Sequence, residues 1–288
     1  CNSRIQKNRS RITDFIPFCA LSEAKGMGIT MKKQLAFLLG AALLLLVGCG
    51  GQSERQVPGK VLLVAAAASL EPVVKQLAWS YEAEHRDVKI QLTTGSSGAL
   101  ARQVEQGAAF DLFLSAGEKE MEDLVKENLV EEDTIKKFLA NRLVVIVPEG
   151  KRTIKGLDQL KNPEYKRVAV AESASVPAGR YAKQALERAG IWQELQPKFV
   201  FGNSVRHVLT YVSSENAEAG IVYRSDAISD EKVHIALEID DKLHDPIRYP
   251  MAVLKRSKNS DAARDFLNFL ESPKAKEKFA KAAFQVMQ

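Results

Sequence analysis

Short apolar runs alternate with amphipathic stretches of helical length from Lys60 to the end of the chain. Runs of this kind are typical of buried strands, and the stretches between them fit helices. The predicted strands are Val61–Ala66, Val88–Leu92, Asp111–Leu114, Leu143–Val147, Arg167–Ala171, Lys198–Phe201 and Ala219–Tyr223. The predicted helices are Glu71–Glu84, Leu100–Gln106, Lys119–Glu127, Gly179–Ala189, Val205–Ser213, Ser260–Glu271 and Lys274–Phe284. Strands that alternate with helices form parallel sheets with right-handed crossovers, so the sequence predicts the α/β class.

A segment of about 230 residues with this rhythm can form one large sheet or two smaller lobes. We favour two lobes, each with its own sheet, and a ligand in the cleft between them. The extended segments Asn141–Val147 and Arg248–Leu254 would carry the chain from one lobe to the other and back. The expected boundaries are 60–141 plus 248–288 for lobe 1 and 142–247 for lobe 2.

A secretory signal is predicted near the N-terminus. Lys32 and Lys33 precede an uncharged, mostly apolar run from Leu35 to Val47. A short positive segment, a short apolar core and small residues before a cleavage site are typical of a signal peptide. The run is shorter than the roughly 20 residues that a transmembrane helix needs. We therefore assign 27–48 to a signal peptide that directs export.

The signal ends in Leu46-Val47-Gly48-Cys49, which resembles the lipobox of bacterial lipoproteins. In a lipobox the cysteine is acylated and becomes the first residue of the mature protein. The resemblance implies lipid attachment at Cys49, a location on the outer face of the cell membrane and a polar tether over 49–59. The alternative is a plain signal peptide with an incidental cysteine. We interpret 1–26 as upstream or non-native sequence.

The net charge of +5 suggests an acidic partner such as nucleic acid, but the basic excess lies in the predicted leader. Residues 1–48 carry seven basic and two acidic side chains, which leaves 34 of each sign from Cys49 onward. A neutral chain without a basic run lacks the electrostatic footprint of a nucleic-acid binder. Cys49 is also the one cysteine of three that processing would retain, so no internal disulfide is expected.

Several loops that follow predicted strands contain small and hydroxyl residues and then open a helix. They lie at 65–70, 94–100, 175–179 and 202–206, and a fifth strand ends in the phenol of Tyr223. Helix N-termini offer unpaired N–H groups and a partial positive charge, so they bind anions without a counter-charge. Ligands of open α/β sheets lie beyond the carboxyl ends of the strands. Converging there, these loops would form a cage of donors around a small anion.

Each loop also has a structural interpretation. Ser69 could simply cap the helix that follows it, because serine is a preferred N-cap. The Gly-Ser-Ser-Gly run at 95–98 could be an ordinary loop, and Tyr223 could be a core residue. The anion-binding interpretation therefore depends on all of the loops together.

The chain from about Lys60 onward resembles the molybdate-binding proteins of ABC transporters. The matching strings are Ala-Ala-Ala-Ser-Leu at 66–70, Gly-Ser-Ser-Gly-Ala-Leu-Ala-Arg-Gln at 95–103, Gly-Ala-Ala-Phe-Asp-Leu-Phe-Leu-Ser-Ala at 107–116, Val-Pro-Ala-Gly-Arg-Tyr-Ala at 176–182, Gly-Ile-Val-Tyr-Arg-Ser-Asp-Ala at 220–227 and Tyr-Pro-Met-Ala-Val at 249–253. Their order and spacing extend over the whole predicted domain.

The resemblance implies the two-lobed type II periplasmic binding-protein fold. It also implies a monomeric binding protein that delivers molybdate or tungstate to an ABC permease, with no cofactor and no directly coordinated metal. Carried over position by position, it places the anion donors at the Ser69 and Ser97 hydroxyls, the Ala178 and Val205 amides and the Tyr223 phenol. One departure is Gly98, where some members have a hydroxyl residue.

Two other functions fit parts of the sequence. One is a binding protein of the same fold for another ligand, such as sulfate, phosphate or an amino acid. The other is a serine hydrolase, which needs a nucleophile, a base and an orienting group. The chain has no Gly-x-Ser-x-Gly elbow, and of its four histidines only His207 is near a proposed loop. We therefore expect a binding protein and not an enzyme.

Overall fold

Eleven strands and nine α-helices form the part of the chain that the computed structural model describes, residues 59–287. The predicted signal peptide, Cys49 and the tether up to residue 58 lie outside these residues. Within 59–287, no helix is both long enough and apolar enough to cross a bilayer.

The first sheet has six strands. They are β1 (Lys60–Ala67), β2 (Val88–Gly95), β3 (Leu112–Leu114), β4 (Lys136–Ala140), β10 (Arg248–Val253) and β11 (Gln285–Val286), in the order β11-β4-β10-β3-β1-β2. β1 is parallel to both β2 and β3, whereas β10 is antiparallel to β3 and β4. The parallel strands therefore end together at one edge of the sheet.

The second sheet has five strands. They are β5 (Leu143–Pro148), β6 (Val168–Ala171), β7 (Phe199–Gly202), β8 (Ala219–Tyr223) and β9 (Val233–Glu238), in the order β7-β6-β8-β5-β9. β6 is parallel to β7 and β8, and β5 is antiparallel to β8 and β9. The ends of β6, β7 and β8 therefore also share one edge.

The chain passes between the sheets twice. It leaves the first sheet after β4 and enters the second at Leu143, and it returns after β9 to begin β10 at Arg248. Every strand before Asn141 and after residue 247 belongs to the first sheet, and every strand between them belongs to the second. This segregation supports the proposed lobes, 60–141 plus 248–288 and 142–247.

Helices cover the sheets. They are α1 (Glu71–Glu84), α2 (Ser97–Glu105), α3 (Glu118–Lys126), α4 (Pro177–Arg188), α5 (Trp192–Leu195), α6 (Val205–Ser213), α7 (Arg224–Ala227), α8 (Ser260–Leu270) and α9 (Pro273–Lys281). α1 buries one apolar face: its buried residues recur at helical spacing and are Val73, Val74, Leu77, Ala78 and Tyr81. Both C-terminal helices, α8 and α9, pack against α1.

Two predicted helix starts were wrong by more than one residue. α2 begins at Ser97 and not at Leu100, because Ser96 caps it by accepting a hydrogen bond from the Ala99 amide at 3.3 Å. α4 begins at Pro177 and not at Gly179, since proline fits the first turn of a helix, where its missing N–H costs nothing. In both cases the corrected start brings the strand-end loop directly onto a helix N-terminus.

Candidate functional site

The five loops that follow β1, β2, β6, β7 and β8 meet at one small cavity between the two sheets. The empty space within it is about 210 Å³ with the open mouth included, of which about 10 Å³ can hold the centre of a water-sized sphere. Its lining is Ala67, Ala68, Ser69, Gly95, Ser96, Ser97, Ala116, Val176, Pro177, Ala178, Ser204, Val205 and Tyr223. The structure therefore brings together all five residues that the sequence singled out as donors.

Three of these five residues lie in the first turn of a helix. Ser97 and Val205 are the first residues of α2 and α6, and Ala178 is the second residue of α4. Backbone N–H groups in a first helical turn have no acceptor within their own helix. The helix dipoles add partial positive charge at the same places. Three helices thus present unpaired donors to one point.

The Ser69 hydroxyl does not cap α1. The N-cap of α1 is Leu70, which makes no side-chain capping bond, and Ser69 lies in a short 3-10 turn just before it. The Ser69 Oγ is instead 3.2 Å from the hydroxyl oxygen of Tyr249. The structural interpretation of Ser69 as an N-cap is therefore wrong, and Ser69 is one of the residues that line the cavity.

Ser97 and Tyr223 are both held by Ala116. The Ala116 amide donates to the Ser97 Oγ at 2.9 Å, which leaves the hydrogen of that hydroxyl free. The Tyr223 hydroxyl donates to the Ala116 carbonyl at 3.3 Å. Burial raises the pKa of Tyr223 well above its ordinary value, so the phenol keeps its proton.

Among residues 59–287, no charged side chain lines this inner cavity. Charged side chains lie outside it, in an outer cavity that shares Ser96 and Ser204 with the inner one and is also lined by Arg102, Arg206 and Glu71. A ligand in the inner cavity would therefore meet neutral hydroxyl and amide donors, whereas a ligand held at the mouth would meet two arginines and a glutamate.

Close contacts join the two sides of the cleft. The Gly98 amide donates to the Ser175 carbonyl at 3.0 Å, and a Cβ at Gly98 would lie only 2.6 Å from that oxygen. The departure noted at Gly98 therefore lets the two loops approach this closely. Farther along, Glu120 of α3 pairs with Arg180 of α4 at 2.9 Å, and the glutamate side chain is almost fully buried.

Residues that the sequence analysis left without a role complete the site. Ser204 caps α6 by accepting from the His207 amide, and it lines the cavity. Asn141 and Tyr249 form a buried hydrogen-bonded group with Ser69. Tyr249 stood in one of the strings that carried the resemblance, but its distance in sequence from Ser69 gave no sign of contact.

The site lacks the arrangement that a hydrolase needs. Among the described residues, the hydroxyls of Ser69 and Ser97 contact Tyr249 and Ala116 and not a histidine. His207 bonds to Ser204 only through its backbone amide. Residues 59–287 also contain no cluster of His, Cys, Asp and Glu that could hold a metal ion.

A buried carboxyl group lies behind the site. Asp226, in α7, is 1% exposed, and neither of its oxygens has a hydrogen-bond partner among the described residues. Its nearest cation is Arg206, with the Nη1 atom 3.7 Å from the Oδ1 atom. Burial raises the pKa of Asp226 from 3.8 to about 7, and Arg206 opposes that shift.

This raised pKa predicts that the free energy of unfolding decreases as the pH rises. Between pH 3.8 and about 7 the folded protein keeps a proton on Asp226 that the unfolded chain releases. The contribution of Asp226 to stability is therefore present at low pH and is lost as the pH rises through this window. An Asp226→Asn variant removes the titration, so its melting temperature relative to wild type should rise between about pH 4 and about pH 7.

Each pKa unit corresponds to about 1.4 kcal/mol, so the change in relative stability should be at most about 4 kcal/mol. Thermal unfolding of both proteins across this pH range, without ligand, measures it. A difference in melting temperature that stays constant with pH would show that Asp226 ionises normally in the folded protein.

Comparison with known proteins agrees with this architecture. The family model for bacterial extracellular solute-binding proteins matches residues 62–285. YvgL of Bacillus subtilis (strain 168), provisionally named an ABC transporter substrate-binding lipoprotein, is 36% identical over 88% of this chain and 99% of its own length. The molybdate-binding protein ModA of Escherichia coli (strain K12) is 34% identical over 88% of this chain and 99% of its own.

A solved structure from Clostridium difficile, described as the substrate-binding domain of a provisionally named molybdenum ABC transporter, is also similar. It is 38% identical with a TM-score of 0.63, and the match covers 80% of this chain and 100% of that one. These matches confirm the predicted two-lobed binding-protein fold and the prediction that the chain is not an enzyme. The chain therefore belongs to the family of bacterial extracellular solute-binding proteins.

Proposed function

We propose that this chain is the molybdate- and tungstate-binding component of an ABC importer and delivers its anion to the permease. The observation that carries the proposal is a cavity onto which three helix N-termini and five hydroxyl residues converge, with no charged side chain of residues 59–287 in its lining. In this proposal the anion accepts hydrogen bonds from the hydroxyls of Ser69, Ser97 and Tyr223. The amides of Ala178 and Val205 complete the donor set.

Such a donor set favours an anion that is an acceptor on every side. A fully deprotonated tetrahedral oxyanion meets this condition, whereas hydrogen phosphate would point its own hydrogen at a donor. An unpaired buried polar group costs about 1–3 kcal/mol, which disfavours phosphate. Sulfate has the right protonation state but is smaller, so a cage built for longer metal–oxygen bonds would hold it loosely. The names of the ModA and Clostridium difficile relatives favour molybdate in the same way.

The anion changes the partner of Tyr223 in this proposal. Its hydroxyl donates to the Ala116 carbonyl in this structure, and a single phenol hydrogen serves one strong acceptor at a time. Binding would turn that hydrogen from the carbonyl to an anion oxygen. Ser97 needs no such change, because its oxygen already accepts from the Ala116 amide and its hydrogen is free.

The cellular location is part of the proposal. Cys49 would carry the lipid that holds the protein at the outer face of the cell membrane, next to the permease. The lipobox-like sequence supports this, as does the provisional name of YvgL as a lipoprotein. Mass spectrometry of the membrane-associated protein tests it, because an unmodified N-terminus downstream of Cys49 would contradict lipid attachment.

We predict that molybdate and tungstate bind much more tightly than sulfate and phosphate, and that their binding changes little with salt. Recognition by short, fixed donors depends on the positions of the anion oxygens, whereas attraction between exposed charges is screened within about 10 Å at moderate salt. Isothermal titration with the four anions, at low and at moderate salt, measures both properties.

Equal affinity for all four anions, or binding that disappears in moderate salt, would contradict the neutral cage. Either result would instead favour a less selective site at the outer cavity, where Arg102 and Arg206 lie.

The proposed donors predict the effect of removing single hydroxyls. Ser69→Ala and Ser97→Ala should each weaken molybdate binding by roughly tenfold to a hundredfold, since a hydrogen bond to a charged group contributes about 1.5–3 kcal/mol. Ser213→Ala is the matched control, because Ser213 lies at the end of α6 and its hydroxyl bonds only to the Thr210 carbonyl.

Titration of each variant, after its melting curve without ligand has been checked, gives the affinities. If Ser69→Ala and Ser97→Ala bind molybdate like the control, the site assignment is wrong.

A further inference from the structure

A buried chain of hydrogen bonds leads from a crossing between the sheets to the cavity. The Asn141 Nδ2 atom is 3.2 Å from the Tyr249 hydroxyl, which is 3.2 Å from the Ser69 Oγ. Asn141 lies between β4 and β5, where the chain enters the second sheet, and Tyr249 lies on β10, where it has returned to the first. All three side chains are at most 5% exposed.

The backbone fixes the orientation of the Asn141 amide. The Arg142 N–H donates to the Asn141 Oδ1 at 2.9 Å, so this side of the amide must be the oxygen. The Nδ2 group then faces the opposite way, toward the Tyr249 hydroxyl and the Ser225 Oγ, the latter at 2.8 Å. An amide nitrogen donates and does not accept. The Tyr249 oxygen therefore accepts a hydrogen bond from Asn141.

The donor in the hydrogen bond between Tyr249 and Ser69 can then be assigned. Tyr249 has one hydroxyl hydrogen, and among the described residues the Ser69 Oγ is the one acceptor within its reach. Turned elsewhere, that hydrogen would be a buried donor without a partner, so Tyr249 donates to Ser69. Burial raises the pKa of Tyr249 well above its ordinary value, so the hydrogen stays in place at neutral pH. Ser69 then accepts, and its own hydrogen has no other partner among the described residues. That hydrogen is left for a ligand in the cavity.

We propose that Asn141 and Tyr249 are positioning residues that hold Ser69 as a hydrogen-bond donor toward the bound anion. The inference rests on the proposed function, because it assigns a direction to one of the proposed donors. Without the hydrogen bond from Asn141 to Tyr249, the Ser69 hydroxyl could turn its hydrogen to Tyr249 and face the anion with its lone pairs. Ser97 is set the same way by the Ala116 amide, so both serine hydroxyls enter the cavity as donors.

A double-mutant cycle between Tyr249 and Ser69 tests the inference. Tyr249→Phe removes only the hydroxyl that donates to Ser69 and keeps the ring. It should weaken molybdate binding by about threefold to tenfold, the effect of one neutral hydrogen bond. In a Ser69→Ala background the same substitution should change affinity by less than about twofold, because the group that it positions is gone. A residue with a merely structural role would weaken binding equally in both backgrounds.

Ser225→Ala is the matched control. It removes the other acceptor of the Asn141 amide and leaves the chain to Ser69 intact. Its affinity for molybdate should stay within about twofold of wild type. Melting curves of all variants without ligand separate a loss of stability from a loss of binding.

Equal losses in the two backgrounds, or no loss from Tyr249→Phe when Ser69 is present, would overturn the positioning role and leave the proposed function standing. A Ser69→Ala variant that binds molybdate like wild type would overturn the positioning role together with the assignment of Ser69 as a donor, whereas a wild-type protein that does not bind molybdate would overturn the proposed function itself.

Should Tyr249→Phe fail to fold, Asn141→Ala serves in the same cycle. It removes the donor that fixes the direction of these hydrogen bonds, so the Tyr249 hydroxyl becomes free to accept from Ser69. Binding should weaken in the presence of Ser69, by about twofold to fivefold, and should not weaken further when Ser69 is alanine. An equal loss in both backgrounds would contradict the inference here too.

Discussion

Unpaired backbone N–H groups at the N-termini of α2, α4 and α6 are the constraint on which the rest of this structure depends. Each such group costs free energy if it is buried without an acceptor. Here the three helix N-termini face one cavity from two sheets, so an anion placed there satisfies them together. Parallel strands make this possible, because their carboxyl ends share an edge and each helix begins directly after its strand. The fold thus supplies the proposed anion site with donors although no charged side chain of residues 59–287 lines the cavity.

Closure of the cleft would turn these donors into the proposed cage. One group of donors belongs to loops of the first sheet and the other to loops of the second, so the cage exists only when the two sides meet. Gly98 permits the closest approach, since no side chain stands between its amide and the Ser175 carbonyl. The Glu120–Arg180 pair adds a charged contact across the same cleft. An ion pair this buried is weak evidence for stability but fixes the geometry in which both partners are satisfied.

Local sequence predicted the parts of the site that are local in space. Serines and small residues placed directly after apolar runs indicated the strand-to-helix loops, and all five indicated residues line the cavity. Asn141 and Tyr249 escaped notice because their contacts join residues far apart in the chain. Strand β4 was not predicted because Lys136 and Lys137 interrupt the apolar pattern. Strand β11 was not predicted because it has two residues, too few to show an alternating pattern. Pairing with neighbouring strands, which no local pattern records, defines both.

The most direct test of the account is a crystal structure of the protein grown with molybdate, with the metal located by anomalous scattering. The account predicts one molybdenum peak in the inner cavity. Its oxygens should lie within hydrogen-bonding distance of the Ser69 and Ser97 hydroxyls, the Ala178 and Val205 amides and the Tyr223 phenol. A peak at the outer cavity, beside Arg102 and Arg206, or no peak in a protein that binds molybdate in solution, would contradict a neutral cage of donors.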